Sequence, residues 1–541
     1  MKYAFSTDAL CRGVHVSRLI LLLSFLLPSF MLFSQEHKVT VELSDVYTEP
    51  KNSIVYDVIG YDDGGVVLSR FNRKGLLSLN MSLEKYSHSL KLLSMRDYEF
   101  ESGGEEVTYG SAFYFHDKVY LFGSAYYKKT KKRNIFTHEV DPKTLTAKGA
   151  PKLLKSIQET DNGSIALGDY VLSEDEKTLA FYGLPGYFKK SMSLSGIPIQ
   201  FSSNKDQIKG SVMVLGKDME VKYETEFTLP YEEKLYDVSS VKVGNDGNFY
   251  VLGRLFNEKA KEKKRGEPNY KYVITTFKNN GKDISEYTVT LDDKFITDCS
   301  FYLNDENNIV CAGFYSTKGT YSIKGTFYMV IDGSSKTISG KSTKEFDTEF
   351  LKLFMSDNKA EKGNELSNFD LEDIIIREDG GAVLIGEKYY VTQHTTYNAS
   401  TNSSRTYYVY HYNDIIVINI NPDNTIEWAT RVPKVQASSS GFYLSYAVHV
   451  KDEMIYLLFN DNDKNLDEKN PDKIYAYDGK NSIATLATIT PDGEYKKSAL
   501  FSNKEEGVIM RPIVSEQINN DELIIYCEKR RDYVIGKIKF E

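Results

Sequence analysis

Tryptophan and cysteine are scarce in this chain, with one Trp and four Cys in 541 residues. Cys11 precedes the N-terminal apolar run, so no lipoprotein attachment site follows that run. The other three, Cys299, Cys311 and Cys527, are odd in number and widely spaced, which excludes a disulfide framework. Cys299 and Cys311 flank the turn at 304–308; they either pair across a hairpin or stay as buried thiols. An excess of positive charge is also missing: 67 Lys and Arg against 76 Asp and Glu leave a formal charge of −9, no basis for general nucleic-acid binding. No stretch carries an amphipathic helical stripe of useful length. Motifs of common enzymes are absent too, with no GxSxG, HExxH or phosphate loop in a usable context. The histidines at 37, 88, 116, 138, 394, 411 and 449 have no metal-ligand spacing.

Against these gaps stand 40 Tyr and 29 Phe, an aromatic load that favours strands. Hydrophobic residues at 41% and charged residues at 26% are ordinary for a globular protein with a large core. Residues 19–33 form an apolar run after Arg12 and Arg18 and before Ser34, Gln35 and Glu36. This pattern reads as a secretory signal peptide over 1–34, leaving 35–541 as the mature domain. An uncleaved anchor, the rival reading, needs about 20 apolar residues, more than the run has. Export to the periplasm or the cell surface is therefore expected, with no transmembrane segment after cleavage.

One pattern recurs along the mature chain: an apolar strand, a turn rich in Asp, Asn and Gly, and a second apolar strand that often ends in Gly. Copies such as YDVIGYDDGGVVLS, AFYFHDKVYLFG, VSSVKVGNDGNFYVLG and EDIIIREDGGAVLIG end at Ser69, Gly123, Gly183, Gly253, Gly313, Gly386, Phe459 and Cys527. From Ser69 to Gly123 is 54 residues and from Gly313 to Gly386 is 73, each about one four-stranded blade with its loops. Between copies lie further strand pairs about polar turns, as in YKYVITTFKNNGKDISEYTVTL. An all-β fold follows, a single β-propeller of eight four-stranded blades, or seven if one loose copy is an insertion. The last copy holds only three strands, and the orphan strand KVTVELS at 38–44 would complete it and close the ring.

In such a blade the a-to-b turns share one face and the b-to-c loops the other. The a-to-b turns are short, at 62–65, 245–248, 304–308 and 378–381. The b-to-c segments are long, at 126–134, 184–205, 257–269, 389–406 and 460–472, and loops on a rigid scaffold carry function. Basic residues gather on blades two to four of that face: Lys128, Lys129, Lys131, Lys132 and Arg133, then Lys189 and Lys190, then Lys263, Lys264 and Arg265. In an acidic chain this sector suits an envelope protein with an acidic surface or an anionic glycan; a solvated hairpin tip is the bland alternative.

The blade-seven segment alternates Asp461, Asp463, Asn465 and Asp467, a spacing that can converge oxygen ligands on Ca2+. Leu466 stands where an EF-hand loop needs Gly and no Glu occupies the twelfth position, so a plain acidic loop, with no cofactor, is the competing reading. Asp237, Asp298 and Asp370 recur near the start of strand a; they either accept backbone hydrogen bonds or supply carboxylates at the channel mouth for a glycoside hydrolase or lyase.

Gly386, Glu387, Tyr389, Tyr390, Asn413, Asp414, Trp428, Pro433, Lys434, Gln436, Asn460, Asp461 and Asn465 lie in a segment, 369–465, that resembles a recurring stretch of secreted β-propellers of Bacteroidota. The resemblance implies compartment and fold and carries no activity. Trp428 reads as a ligand platform or as packing between blades. The leading functional expectation is a non-enzymatic binding or scaffold module of the cell envelope; the alternative is a carbohydrate-active enzyme.

Overall fold

A computed structural model describes residues 38–541, apart from 75–77, 159–168, 185–206, 259–260, 305–307, 334, 336, 378, 424, 469 and 471–472. The signal segment, Lys189 and Lys190 thus lie outside the described residues. Strands at 53–98, 108–158, 169–232, 236–289, 295–345, 369–438 and 447–502 form seven antiparallel four-stranded sheets, each ordered a-b-c-d along the chain. The eighth is composite. Glu516–Asn519, Glu522–Lys529 and Asp532–Phe540 are joined by the N-terminal strand Val39–Leu43, which pairs with the third from Val39↔Phe540 to Leu43↔Gly536.

The strands read as continuous apolar runs because each blade is buried on both faces. In strand b of blade five, Ile309–Ser316, Ile309, Cys311 and Tyr315 pack toward blade four, while Val310, Ala312 and Phe314 pack toward blade six. Alternate side chains therefore feed two different cores. Among the described residues there are eight such cores, each shared by two neighbouring blades, and one of them joins Ile524, Tyr526 and Ile535 of blade eight to Val55, Val58 and Leu68 of blade one. The ring of eight is closed. Polar groups lock the seam: buried Arg70 donates to Glu84 at 2.6 Å and to Glu49 at 3.0 Å, and the Tyr526 hydroxyl donates to Glu49.

Of the glycines that close the sequence copies, Gly183 ends its strand, Leu179–Gly183, whereas Gly123, Gly253, Gly313 and Gly386 lie within theirs. In blades two, four and five strand b runs on past them to Tyr127, Phe256 and Ser316; Gly123 and Gly253 flank a β-bulge of strand a, and Gly313 pairs with Cys299 one residue short of a third. Beside these bulges the two backbones crowd together; a Cβ on Gly313 would lie 2.1 Å from the Asp298 carbonyl oxygen and one on Gly123 2.7 Å from that of Thr108. Cys299 and Cys311 are buried free thiols on the a and b strands of blade five, so the hairpin disulfide does not form here. No helix among the described residues is long and apolar enough to cross a membrane.

Candidate binding face

The b-to-c and d-to-a connections gather on one face, joined there by two five-residue helices, Thr348–Lys352 and Asp357–Glu361, that follow blade five. Two of the long loops inferred from sequence are not loops. In blade two, Lys118–Tyr127 and Lys132–Val140 pair to Tyr127↔Lys132, leaving only 128–131 as a tight turn. In blade six, Ala382–Asn398 and Ser403–Ile420 continue as a two-stranded arm to Asn398↔Ser403. Tyr- and Thr-rich segments with little apolar alternation fit an exposed ribbon as well as a loop, which is why the pattern misled.

The blade-two turn is braced. Gln158 Nε2 donates to the carbonyls of Thr130 and Lys131 at 3.0 and 3.1 Å, and the Tyr127 hydroxyl donates to Ser102 O at 2.8 Å. Arg133 lies over the Tyr126 ring, 5.4 Å from its centroid. Lys128, Lys129, Lys131 and Lys132 are exposed, and Lys128, Lys129 and Lys132 have no ion pair with a described residue. The blade-four cluster differs. Lys263 and Lys264 pair with Pro268 and Glu267 in a miniature hairpin, whose turn residues Arg265 and Gly266 both have positive φ. Lys264 pairs with Glu258, and Lys263 donates to Lys318 O at 3.1 Å, so this cluster is partly spent on its own loop; Arg265 stays exposed.

On blade seven the four presumed oxygen ligands are divided by burial. Asp461 is fully buried in strand b (Met454–Asn462); one carboxylate oxygen accepts from Lys497 Nζ at 2.8 Å and the other from Asn465 Nδ2 at 2.7 Å. Asn465 also donates to Tyr475 O and accepts from Tyr475 N, both at 2.8 Å, which zips the loop shut. Asp463 and Asp467 point to solvent. Among the described residues no group of three or more His, Cys, Asp or Glu could hold a metal ion. Millimolar Ca2+ is therefore expected to raise the thermal midpoint by less than about 1 °C, because a weak site adds little linkage energy. Differential scanning fluorimetry checks this, and a rise of several degrees abolished by Asp463→Ala with Asp467→Ala would contradict it.

The inner carboxylates are engaged as well. Asp298 accepts from Cys299 N and from Leu371 N of the next blade, both at 2.9 Å; Asp237 pairs with Arg254 at 3.1 Å; Asp370 is also engaged. On the opposite face Asp62 is more than a turn residue, since it holds the buried ammonium of Lys85 at 2.5 Å.

Glu387, Lys434, Gln436 and Asn460, to which the sequence assigned no role, are drawn into one buried network. Glu387 and Lys434 are fully buried and paired. Lys434 Nζ also donates to Gln436 Oε1 at 3.0 Å, and the second Glu387 oxygen accepts from Ser445 Oγ at 2.6 Å. Gln436 Nε2 donates to Asn460 O at 2.7 Å; Asn460 Nδ2 in turn donates to Tyr443 O and Met510 O at 2.9 and 2.8 Å. The chain of bonds runs from blade six through blade seven to blade eight and rivets the three together. Burial pushes the Glu387 carboxyl up and the Lys434 ammonium down, each opposed by the charge of the other. Trp428 donates to Pro491 O at 2.7 Å and packs against Gly493, between blades rather than toward a ligand.

No protein-family model and no curated protein matches this chain. Solved structures it is similar to include the WD40 domain of SCAP from fission yeast, with a TM-score of 0.35, 8% identity, and 92% of this chain and 98% of that one covered. The β-propeller domain of the Trilobed protease from Pyrococcus furiosus gives a TM-score of 0.30 at 10% identity, over 89% of this chain and 97% of that one. A polysaccharide lyase, an ulvan lyase, gives 0.36 at 10% identity, over 78% and 90%. Likenesses this remote say nothing of activity or ligand.

Proposed function

We propose that this protein is a non-enzymatic binding or scaffold propeller of the cell envelope, exported by the segment at 1–34, that holds a polyanionic partner on its b-to-c face. The observation that carries the reading is the blade-two tip: exposed Lys128, Lys129 and Lys132 beside a braced turn, these three without ion pairs to described residues, in a chain of net charge −9. Such lysines meet an anion without first giving up an ion pair, and they steer its approach. The partner is an acidic protein surface or an anionic glycan. A glycosidase or lyase reading has less support, since it needs carboxylates that are instead bonded to backbone or to arginine.

Chromatography on immobilised heparin, used as a sulfated-glycan probe, tests the polyanion class. The wild type is expected to be retained at low salt, whereas the Lys128→Glu, Lys129→Glu, Lys131→Glu and Lys132→Glu variant should elute at clearly lower salt, as lost charge contacts demand. Identical elution of the two would remove the basic sector from the account.

A further inference from the structure

We propose that this protein self-associates through the blade-six arm, the free edge of its first strand pairing antiparallel with the same edge of a second copy. The arm has ten cross-strand pairs, from Tyr389↔Tyr412 to Asn398↔Ser403. Strand a accompanies it only to Phe369↔Lys388 and strand d only to Tyr410↔Ser438. Beyond those points the outer backbone of 390–398 and of 403–409 faces no other described strand.

Lone two-stranded ribbons are marginal in water, and this one is held by a cross-strand ladder. Tyr390 stacks on His411 at 4.4 Å, His394 on Tyr407 at 5.4 Å, and Tyr389 packs against Tyr412 at 4.8 Å. Thr392 Oγ1 lies 2.9 Å from the Nε2 atoms of both His394 and His411. The arm therefore presents an ordered edge, with large side chains left in solvent: Tyr397 is 63% exposed, Tyr408 44% and Val391 42%.

The rest of the molecule shows how this chain treats an open edge. Each outermost blade strand carries charge, which discourages edge pairing: Arg96 and Asp97, Lys152 and Lys155, Lys222 with Glu224 and Glu226, Asp283 and Glu286, and so on round to Glu42 of the closing strand. Across 390–398, YVTQHTTYN, there is no Lys, Arg, Asp, Glu or Pro, and the single charge of the arm's open part, Arg405, is on the other strand. Protection used on the blades is withheld from this one edge.

A second copy is the occupant this edge suits. An antiparallel pair of identical strands has a twofold axis, so the contact is self-complementary and closed. Two molecules that each carry −9 repel elsewhere, and here they meet without opposing charges. Blade six stands opposite blade two in a ring of eight, and no residue of the basic sector lies on the arm, so the two proposals fail independently.

Sedimentation velocity of the full chain over about 1 to 100 µM tests the proposal, a range that brackets micromolar association. The wild type is expected to shift from monomer to twice that mass. Gln393 and Thr395 are exposed on the free strand, and Gln393→Lys with Thr395→Lys should weaken association at least about tenfold by setting like charges together, with the thermal midpoint unchanged. Amide exchange across 390–398 should slow with concentration in the wild type alone. A wild type that stays monomeric at the top of the range, or a double variant that associates as well as the wild type, overturns the proposal.

Discussion

Deleting residues 38–44 is expected to lower the thermal midpoint by about 5 °C or more, the effect of losing roughly 5 kcal/mol from a cooperative chain of this size. Val39–Leu43 supplies most of the fourth strand of blade eight, and Tyr47–Thr48 the short remainder. Its Val39, Val41 and Leu43 pack against the core shared by blades seven and eight, beside Leu523, Ile525 and Ile538. Removal strips apolar cover from that core and unpairs the outer backbone of 535–540, while Tyr47 and Thr48 keep Tyr533 and Asp532 paired, leaving an open edge with Ile535 and Ile538 behind it. The truncated protein should also aggregate at lower concentration. A calorimetric scan measures the loss, and a midpoint within a degree or two of the parent would mean that the strand is ornamental to closure.

Lys434→Met is expected to cost about 3–5 kcal/mol, because it strands the Glu387 carboxylate inside the ring. The sign of its pH dependence is fixed. Without the cation, burial holds the folded pKa of Glu387 above its unfolded value, so the folded state binds the extra proton. The stability tied to that proton is intact below the unfolded carboxylate range of about 4.3 and is lost as pH rises through the folded pKa. The variant's deficit relative to the parent should therefore be smaller at pH 5 than at pH 8 in urea titrations. Adding Glu387→Gln removes the buried charge and should recover most of the loss at pH 8. A deficit independent of pH, or no recovery in the double variant, would mean that the pair is not an uncompensated charge in waiting.

Blades were legible in the sequence because their signals are local. A strand such as Ile309–Ser316 buries both faces and must be apolar throughout, and turns such as 245–248 need Asn, Asp and Gly for their dihedrals. The closing strand was legible from a deficit, three strands where four were due. Gly183 was read correctly as a strand end, but Gly123 and Gly313 were misread; what they mark is a close approach of two backbones beside a bulge, which exists only when two strands are paired. The network round Glu387 and Lys434 was illegible because its partners, 47 residues apart across the sheet of blade six for the ion pair and 50 apart on neighbouring blades for Asn460 and Met510, meet only once the sheets form and pack rather than through local pattern. Blade-two lysines were found by composition alone, since an exposed turn leaves its charge unmasked; the blade-four lysines, drawn into their own hairpin, showed the same composition with less charge to offer. Asp461 was misleading for a like reason, as a strand residue turned inward onto Lys497 looks in sequence like one more acid of a loop.

Capture from an envelope extract by immobilised protein, with the two faces altered in turn, tests the functional claim most directly. On the b-to-c face Lys128, Lys129, Lys131 and Lys132 become Glu; on the a-to-b face exposed Asp63 and Glu176 become Lys, sparing Asp62 and its buried lysine. Both variants should melt with the parent, because every substituted side chain lies in solvent. A salt-sensitive partner captured by the wild type is expected to be lost with the first variant and kept with the second. Capture that survives the four reversals and disappears with Asp63→Lys and Glu176→Lys would place the working surface on the opposite face of the propeller.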